Sequence, residues 1–355
     1  MKRKFIAFSL FCLTAVLLTG CVISFKAKEN IDGGVFVSND KGENWSQTSL
    51  IYRVSDIAKT FSNIDLIGMT VDPLDSKALY VATHDKGMFY TYDGGTGWHQ
   101  TLENKGRINT IAISPRESCI IYVAIANRIY KSTDCNRHWD YQLIEPRADP
   151  NNQITALAVD NNDSNIVYAG TSGKGLFNSA DGGYSWHVIK FFDDRIVKLL
   201  ILPSNTNIIY VVTASKGIFK TTDKGQTWTE LFNDETKKQY AKLLVYRDVI
   251  LDPTVEDGLL YACPYGLFRS GDGGQSWQNI KLLTPPDSVN IYSVGINPQN
   301  GQEIYYGIDK VLYRSEDGGA NWITRNLPTV RAPEFLYIDP ANPSRLYLGV
   351  QQIKQ

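Results

Sequence analysis

The chain has 355 residues, of which 43% are apolar and 12% aromatic, and this is ample for a large hydrophobic core. Its 36 basic and 37 acidic residues give a formal net charge of −1, so composition offers no case for a nucleic-acid partner. Length alone suggests two or three domains, unless one repeat architecture absorbs the whole chain.

The N-terminus has the pattern of an export segment. Basic residues 2–4 precede the apolar run "FIAFSLFCLTAVLL", which is too short to span a membrane comfortably. The following "LLTGC" resembles the lipobox of bacterial lipoproteins, and the resemblance implies that residues 1–20 are a cleaved signal peptide. Cys21 is then acylated, and residues 21–31 are a lipidated tether. The alternative is an ordinary signal peptide, or an uncleaved anchor, with an incidental cysteine.

The rest of the chain repeats one eight-residue box seven times, as in "SADGGYSW" at residues 179–186. Each box has Ser or Thr, then Asp two residues later, and ends in Trp. Steps of 41 to 53 residues between boxes indicate a propeller, a solenoid or an array. The box residues are Asp40, Asp93, Asp134, Asp181, Asp223, Asp272 and Asp317, with Trp45, Trp98, Trp139, Trp186, Trp228, Trp277 and Trp322.

Each box belongs to a unit of four short β-rich runs. In the fourth unit these are "ITALAV", "NIVYAGT", "GLFNS" and "SWHVI", which we term strands a to d. Only a strand c precedes the first box, and only an a and a b follow the last one. Pairing the two chain ends completes one blade and removes open sheet edges. The sequence therefore predicts an all-β, seven-bladed propeller over residues 32–355, with four-stranded antiparallel blades and one composite closing blade.

The box residues suit a tight c–d hairpin. The aspartate accepts backbone N–H bonds, glycine permits positive φ, the hydroxyl adds a local bond, and the tryptophan packs the turn onto its blade. Seven corners of a ring cannot converge, so we expect these aspartates to be structural and not catalytic or metal-binding.

The boxes resemble the Asp-box (BNR) repeat throughout the mature chain. Families that share it include sialidases, xyloglucanases, sortilin-type receptors and the photosystem II assembly-factor family, so the resemblance implies the fold but not one activity. Sialidases carry an N-terminal "RIP" signature, which is absent here, and xyloglucanases use two propellers with paired aspartates. The four histidines form no triad or metal pattern. We therefore expect no catalytic residue, metal or cofactor.

A basic face is the best candidate site. In a propeller the b–c and d–a loops lie on one face, and a cluster of one charge there concentrates anionic ligands. The alternative is that these cations are ordinary solvated loop residues, partly offset by nearby acids. Two long d–a connections, about residues 46–64 and 229–247, are expected to overhang this face, the second with a short helix. The candidates are Lys86, Arg128, Lys174, Lys216 and Lys310 in b–c loops, and Arg107, Arg195, Arg247 and Arg331 at strand-a starts.

The cysteines give one further expectation. Cys119 opens strand b and Cys135 follows strand c of the same blade, so both lie where the a–b and c–d turns meet. Export would expose them to an oxidising compartment, and we expect a disulfide between them. Cys263 lies at the end of strand b in another blade, on the opposite face, and is expected to stay free.

The sequence thus predicts an exported, lipid-anchored, non-enzymatic binding or assembly scaffold of the bacterial envelope. Its expected partner is an envelope protein or an anionic glycan, with contact to the membrane through the lipid and none to nucleic acid. The alternative is a glycoside hydrolase or carbohydrate-binding propeller that uses the same face.

Overall fold

The computed structural model describes residues 32–52, 59–144 and 151–353. Residues 1–31, which include the predicted export segment and Cys21, lie outside the described residues. Within those ranges the chain forms thirty strands and one helix, and 28 of the strands make seven four-stranded antiparallel sheets. This confirms the predicted seven-bladed propeller.

The composite blade, blade 1, closes the ring. Its sheet order is β2-β1-β30-β29, so the last two strands complete the first two. Val35 pairs with Gly349, and Ser38 with Leu346, in antiparallel register. This confirms the expected joining of the chain ends. From inside to outside the strands are β29 (Ala332–Ile338), β30 (Leu346–Gln351), β1 (Val35–Ser38) and β2 (Ser46–Thr48).

The other six blades each use one continuous stretch of chain. Strand a is innermost and strand d lies at the rim. Blade 2 is β5 (Leu66–Asp72), β6 (Asp75–Thr83), β7 (Met88–Thr91) and β8 (His99–Thr101), and blade 3 is β9 (Ile108–Ile113), β10 (Ile121–Ile125), β11 (Arg128–Ser132) and β12 (Asp140–Leu143). Blade 4 is β13 (Ile154–Val159), β14 (Val167–Thr171), β15 (Gly175–Ser179) and β16 (His187–Phe191), and blade 5 is β17 (Ile196–Ile201), β18 (Ile209–Thr213), β19 (Ile218–Thr221) and β20 (Thr229–Glu230). Blade 6 is β21 (Asp248–Leu251), β22 (Leu259–Cys263), β23 (Gly266–Ser270) and β24 (Gln278–Ile280), and blade 7 is β25 (Ile291–Asn297), β26 (Asn300–Ile308), β27 (Val311–Ser315) and β28 (Ile323–Asn326).

The hydrophobic core lies between neighbouring blades. Tyr122 and Ile129 of blade 3, for example, pack with Leu157 and Phe177 of blade 4. Strand b is buried along its whole length in blades 3 to 6, because it has a neighbouring strand on each side and a neighbouring blade on each face. Each blade therefore depends on the next one, and the ring stabilises itself only when it is closed.

The connection from blade 1 to blade 2 differs from its expectation. It forms a small hairpin, β3 (Leu50–Ile51) and β4 (Lys59–Thr60), which was expected to overhang the b–c/d–a face. Instead its first strand runs along the rim of blade 2, where the Tyr52 N–H donates to Trp98 O at 2.8 Å and the Trp98 N–H donates to Leu50 O at 2.8 Å. The open edge of the outermost strand in blade 2 offers these backbone partners.

The second long connection contains the expected short helix, α1 (Asp234–Gln239). Asn233 caps its N-terminus, because its side chain accepts the backbone N–H of Thr236 at 2.8 Å. Its acidic residues lie in the first turn and its lysines in the last turn, as the helix dipole favours.

Candidate binding face

A channel runs along the axis of the ring and holds a cavity of about 820 Å³. Its walls are the innermost strands, and much of the lining is apolar, including Met69, Ile111, Leu157 and Val294. The strands begin at the b–c/d–a face, and there the lining becomes polar and charged. This change from an apolar interior to a charged mouth is typical of a ligand site.

Three of the four candidate arginines at strand-a starts line this cavity: Arg107, Arg195 and Arg247. Arg107 and Arg195 are exposed, and neither guanidinium has a hydrogen bond or an ion pair with any residue that the structure describes. Arg247 is half-buried; its Nη2 donates to Asn290 Oδ1 at 3.2 Å, while its buried Nε has no partner within the described ranges. The mouth therefore presents donors whose hydrogen-bonding capacity is largely unused.

Arg331 does not belong to this set, and its assignment to the basic face was wrong. Its side chain is buried, and Nε lies 3.1 Å from Asp32 Oδ1 while Nη1 lies 2.5 Å from Asp65 Oδ1. Nη2 donates to Asn63 O at 3.1 Å. The two carboxylates come from the start of the described chain and from the connection to blade 2, so Arg331 joins separate segments at the ring closure.

The predicted cations in the b–c loops are all exposed. Lys86 pairs with Asp85 at 3.2 Å, and the guanidinium of Arg128 lies over the Tyr141 ring at 4.9 Å. The ammonium groups of the other three have no ion pair within the described residues, so they add positive charge around the mouth. These three are Lys174, Lys216 and Lys310.

Two carboxylates also line the channel, Asp248 and Glu334. Asp248 Oδ1 lies 2.8 Å from the ammonium of Lys198, a channel cation that was not among the sequence candidates. Its Oδ2 accepts the backbone N–H of Val294 at 3.0 Å. Both oxygens of Asp248 are therefore occupied by donors, and its charge is matched by that of Lys198.

The seven boxes form the opposite face and are built as local turns. In each one the aspartate accepts the hydroxyl two residues earlier and the backbone N–H four residues later. The two residues after the aspartate have positive φ, for example Lys41 at 59° and Gly42 at 88°. The N–H of Asn44, its side-chain amide and the Ser38 hydroxyl lower the pKa of Asp40 to about 2.

The tryptophans that end the boxes pack against the blade edges. The Nε1–H of Trp45 donates to Gly42 O at 3.1 Å, and that of Trp186 donates to Gly183 O at 3.0 Å. Trp98 of blade 2 is fully buried beneath the rim hairpin. Within the described residues no group of three or more His, Cys, Asp or Glu side chains could hold a metal ion.

The structure joins Cys119 and Cys135 by a disulfide, with their Cα atoms 4.1 Å apart. Cys135 takes a box position with positive φ, 59°, and its N–H donates to Cys119 O at 3.4 Å. Cys263 is a buried free thiol, and burial raises its pKa to about 11. Whether the bond forms in protein isolated from cells stays a prediction.

In the part of the chain that the structure describes, no helix has the length and apolar character needed to cross a bilayer. Fold and site together define a seven-bladed β-propeller with a polar-mouthed axial channel. No family model matches the chain, and no curated protein matches it.

Solved structures with the same fold differ widely in what they do. One is a GH74 xyloglucanase from Xanthomonas campestris, with 17% identity, a TM-score of 0.64, and coverage of 81% of this chain and 51% of that one. Another is YCF48 bound to D1 peptide, with 15% identity, a TM-score of 0.61, and coverage of 81% and 93%. A third is the extracellular domain of BT4673 from B. thetaiotaomicron, described as a candidate one-component system, with 14% identity, a TM-score of 0.59, and coverage of 90% and 47%.

These likenesses are at low identity and show the fold alone. The chain spans about half the length of the GH74 protein that it matches. The function must therefore be argued from the residues of this chain.

Proposed function

We propose that this protein is a non-enzymatic binding or assembly module of the bacterial cell envelope, which recognises an anionic partner at its b–c/d–a face. The observation that carries the proposal is the placement of Arg107 and Arg195 at the mouth of an 820 Å³ cavity, without a counter-charge among the described residues. An open mouth with unused donors favours a ligand that brings acceptors and negative charge.

The partner is an envelope protein or an anionic glycan. The solved complex of YCF48 with a peptide supports a protein partner, because it is a propeller of similar size that binds a polypeptide. Charge steering by the basic mouth would make association strongly dependent on salt.

The alternative is a hydrolase, and the likeness to GH74 enzymes is the observation in its favour. Glycosidic cleavage needs two carboxyl groups, one of which must be free to give a proton to the leaving group. Asp248 has both oxygens engaged by Lys198 and by backbone N–H groups, which favours binding over hydrolysis.

The decisive experiment is capture of partners from detergent-solubilised membranes of the native cell. We expect the Arg107→Glu/Arg195→Glu variant to lose captured partners about tenfold or more, since each reversal replaces attraction by repulsion. The matched control is Arg116→Glu/Arg137→Glu, which reverses two exposed arginines on the box face. Equal capture by both variants, or capture that does not weaken in higher salt, would overturn the proposal. Release of reducing sugar from an envelope glycan would support the hydrolase instead.

The envelope location rests on "LLTGC" after the apolar run. We propose that Cys21 is acylated and holds the propeller at the extracytoplasmic face of a bacterial membrane. Intact mass of membrane-extracted protein tests this: the mature N-terminus should be a lipid-modified Cys21. Loss of the lipid mass and of membrane association is expected for Cys21→Ser, and an unmodified N-terminus at another residue would contradict the anchor.

A further inference from the structure

A second cavity, of about 400 Å³, lies in the groove between blade 1 and blade 2, towards the rim of the ring. It is bounded by the rim hairpin, by the box of blade 2 at residues 94–96, and by Arg345 just before β30. Its volume lies within the range of small-ligand sites. It shares no lining residue with the channel cavity, so it is separate from the channel mouth, and nothing in the proposed function uses it.

The lining of this cleft is dominated by hydroxyl groups. Each hydroxyl has one donor and two acceptor positions, so even those with a protein partner keep capacity for a ligand. Thr60 and Ser62 share one hydrogen bond of 2.8 Å, and Thr96 donates to Asp93 O at 3.3 Å. The hydroxyl residues are Thr48, Ser49, Thr60, Ser62 and Thr96.

Ser49 adds a hydroxyl without a described protein partner to the wall of the cleft. Its side chain lines the cleft on a residue that is only 6% exposed, and its hydroxyl has no hydrogen-bond partner among the residues that the structure describes. The hydroxyl is not enclosed in the protein, so it is open to a polar group of a ligand in the cleft.

Arg345 gives the cleft its charge. Its Nε donates to Asn39 Oδ1 at 2.9 Å, but it has no ion pair with a carboxylate in the described ranges. Among the residues that the structure describes, none that lines the cleft is acidic. Other arginines at blade junctions, such as Arg269 and Arg331, are neutralised by aspartates, so Arg345 is an arginine whose charge remains available at a junction.

We propose that this cleft binds a sugar acid, that is, a monosaccharide unit with several hydroxyls and one carboxylate. The hydroxyl-rich wall matches the ring hydroxyls, and the guanidinium of Arg345 matches the carboxylate. A neutral sugar leaves Arg345 without a partner, and a simple carboxylate leaves Ser49 without one, so recognition requires both features in one ligand.

The test is calorimetric titration of the full chain with glucuronate, with glucose and acetate as controls for charge and for hydroxyls. Glucuronate should bind saturably and about tenfold or more tightly than either control, because a hydrogen bond to a charged group contributes that much. Arg345→Gln should abolish the preference for glucuronate over glucose, and Ser49→Ala should weaken both sugars.

Four further variants keep the test decisive. If Arg345→Gln alters the melting temperature, Arg345→Lys can be used in its place, because the lysine retains the charge and should retain part of the preference for glucuronate. Thr96→Val removes an exposed hydroxyl without touching the core. Arg116→Gln, which changes an exposed arginine outside the cleft, should have no effect. Arg107→Glu/Arg195→Glu should also leave glucuronate binding intact, which separates this site from the proposed function. Absence of saturable glucuronate binding, equal binding of acetate, or an unaltered preference in Arg345→Gln would overturn the proposal.

Discussion

The hydroxyl of Tyr52, in the connection between blades 1 and 2, donates a hydrogen bond of 2.6 Å to Oδ2 of Asp93 in the box of blade 2. In the other six boxes this oxygen is bonded by a side chain of the same box, four residues after the aspartate. The box of blade 2 has Gly97 at that position, and a Cβ there would overlap the Tyr52 ring. Tyr52, which lies 41 positions before Asp93, thus replaces the local partner, and the absence of a side chain at Gly97 leaves room for the Tyr52 ring.

The first prediction follows from this exchange. Gly97→Ser alone should lower the melting temperature by several degrees, since the new side chain collides with Tyr52. In a Tyr52→Ala background the same serine should be stabilising, because it restores the hydroxyl that the other boxes use. A double-mutant cycle by differential scanning calorimetry measures the coupling. Additive effects of the two substitutions would contradict the exchange.

The contact between Tyr52 and Asp93 also shows which features could be predicted from the sequence and which could not. The box turns, the strand order and the composite blade depend on contacts within a few residues or on a repeated pattern, and these were predicted correctly. The Tyr52 contact and the burial of Arg331 depend on where two non-repeated connections pack. Arg331 and Arg107 occupy equivalent positions at the start of strand a in their own blades, but only Arg331 faces Asp32 and Asp65. Side-chain partners of that kind follow from the closed ring and not from the repeat.

The second prediction concerns acid stability. The Thr221 and Thr227 hydroxyls lower the pKa of Asp223 to about 2, and the Asn321 N–H and side-chain amide lower that of Asp317 to about 2. The unfolded value is about 3.9. A depressed folded pKa contributes stability above the unfolded value, which is lost as pH falls through the folded one. The propeller should therefore lose stability steeply between about pH 4 and pH 2.

A substitution tests that assignment to the boxes. Asp317→Asn removes the charge at all pH values, so its melting temperature should lie below that of the unaltered protein at neutral pH. The difference should shrink as pH approaches about 2, where Asp317 itself becomes protonated. A difference that is constant with pH would show that ionised Asp317 does not stabilise the fold.

The third prediction concerns ring closure. Removal of residues 346–355 deletes β30, whose Tyr347 and Leu348 are fully buried, and leaves β1 and β29 as open edges. We expect loss of the cooperative thermal transition and aggregation, because the open edges can pair with other chains. Removal of residues 353–355, beyond the last strand, is the control and should change little. An unchanged transition in the longer deletion would argue against closure by the composite blade.

The fourth prediction concerns the disulfide. In protein purified from the envelope, non-reducing peptide mapping should find Cys119 linked to Cys135, with Cys263 alkylated only after denaturation because it is buried. In the loop-entropy model, a bond across a separation of 16 residues contributes about 3 kcal/mol to the free energy of unfolding. Cys119→Ser/Cys135→Ser should lower it accordingly, while a reductant should have no effect on that variant. Alkylation of both thiols without reductant would refute the bond.

The fifth prediction separates the two kinds of arginine at strand-a starts. Arg331→Ala leaves the carboxylates of Asp32 and Asp65 without their shared cation, and breaking such a buried pair costs about 3 kcal/mol. Arg331→Lys should recover only part of this, because one ammonium cannot reproduce the three directed bonds of the guanidinium. Arg107→Ala should change the free energy of unfolding by less than about 0.5 kcal/mol, since its guanidinium has no partner within the described residues. Urea unfolding of the three variants gives these values. Equal losses in Arg107→Ala and Arg331→Ala would mean that Arg107 is also a structural residue, and the binding role proposed for the channel mouth would then lose its principal support.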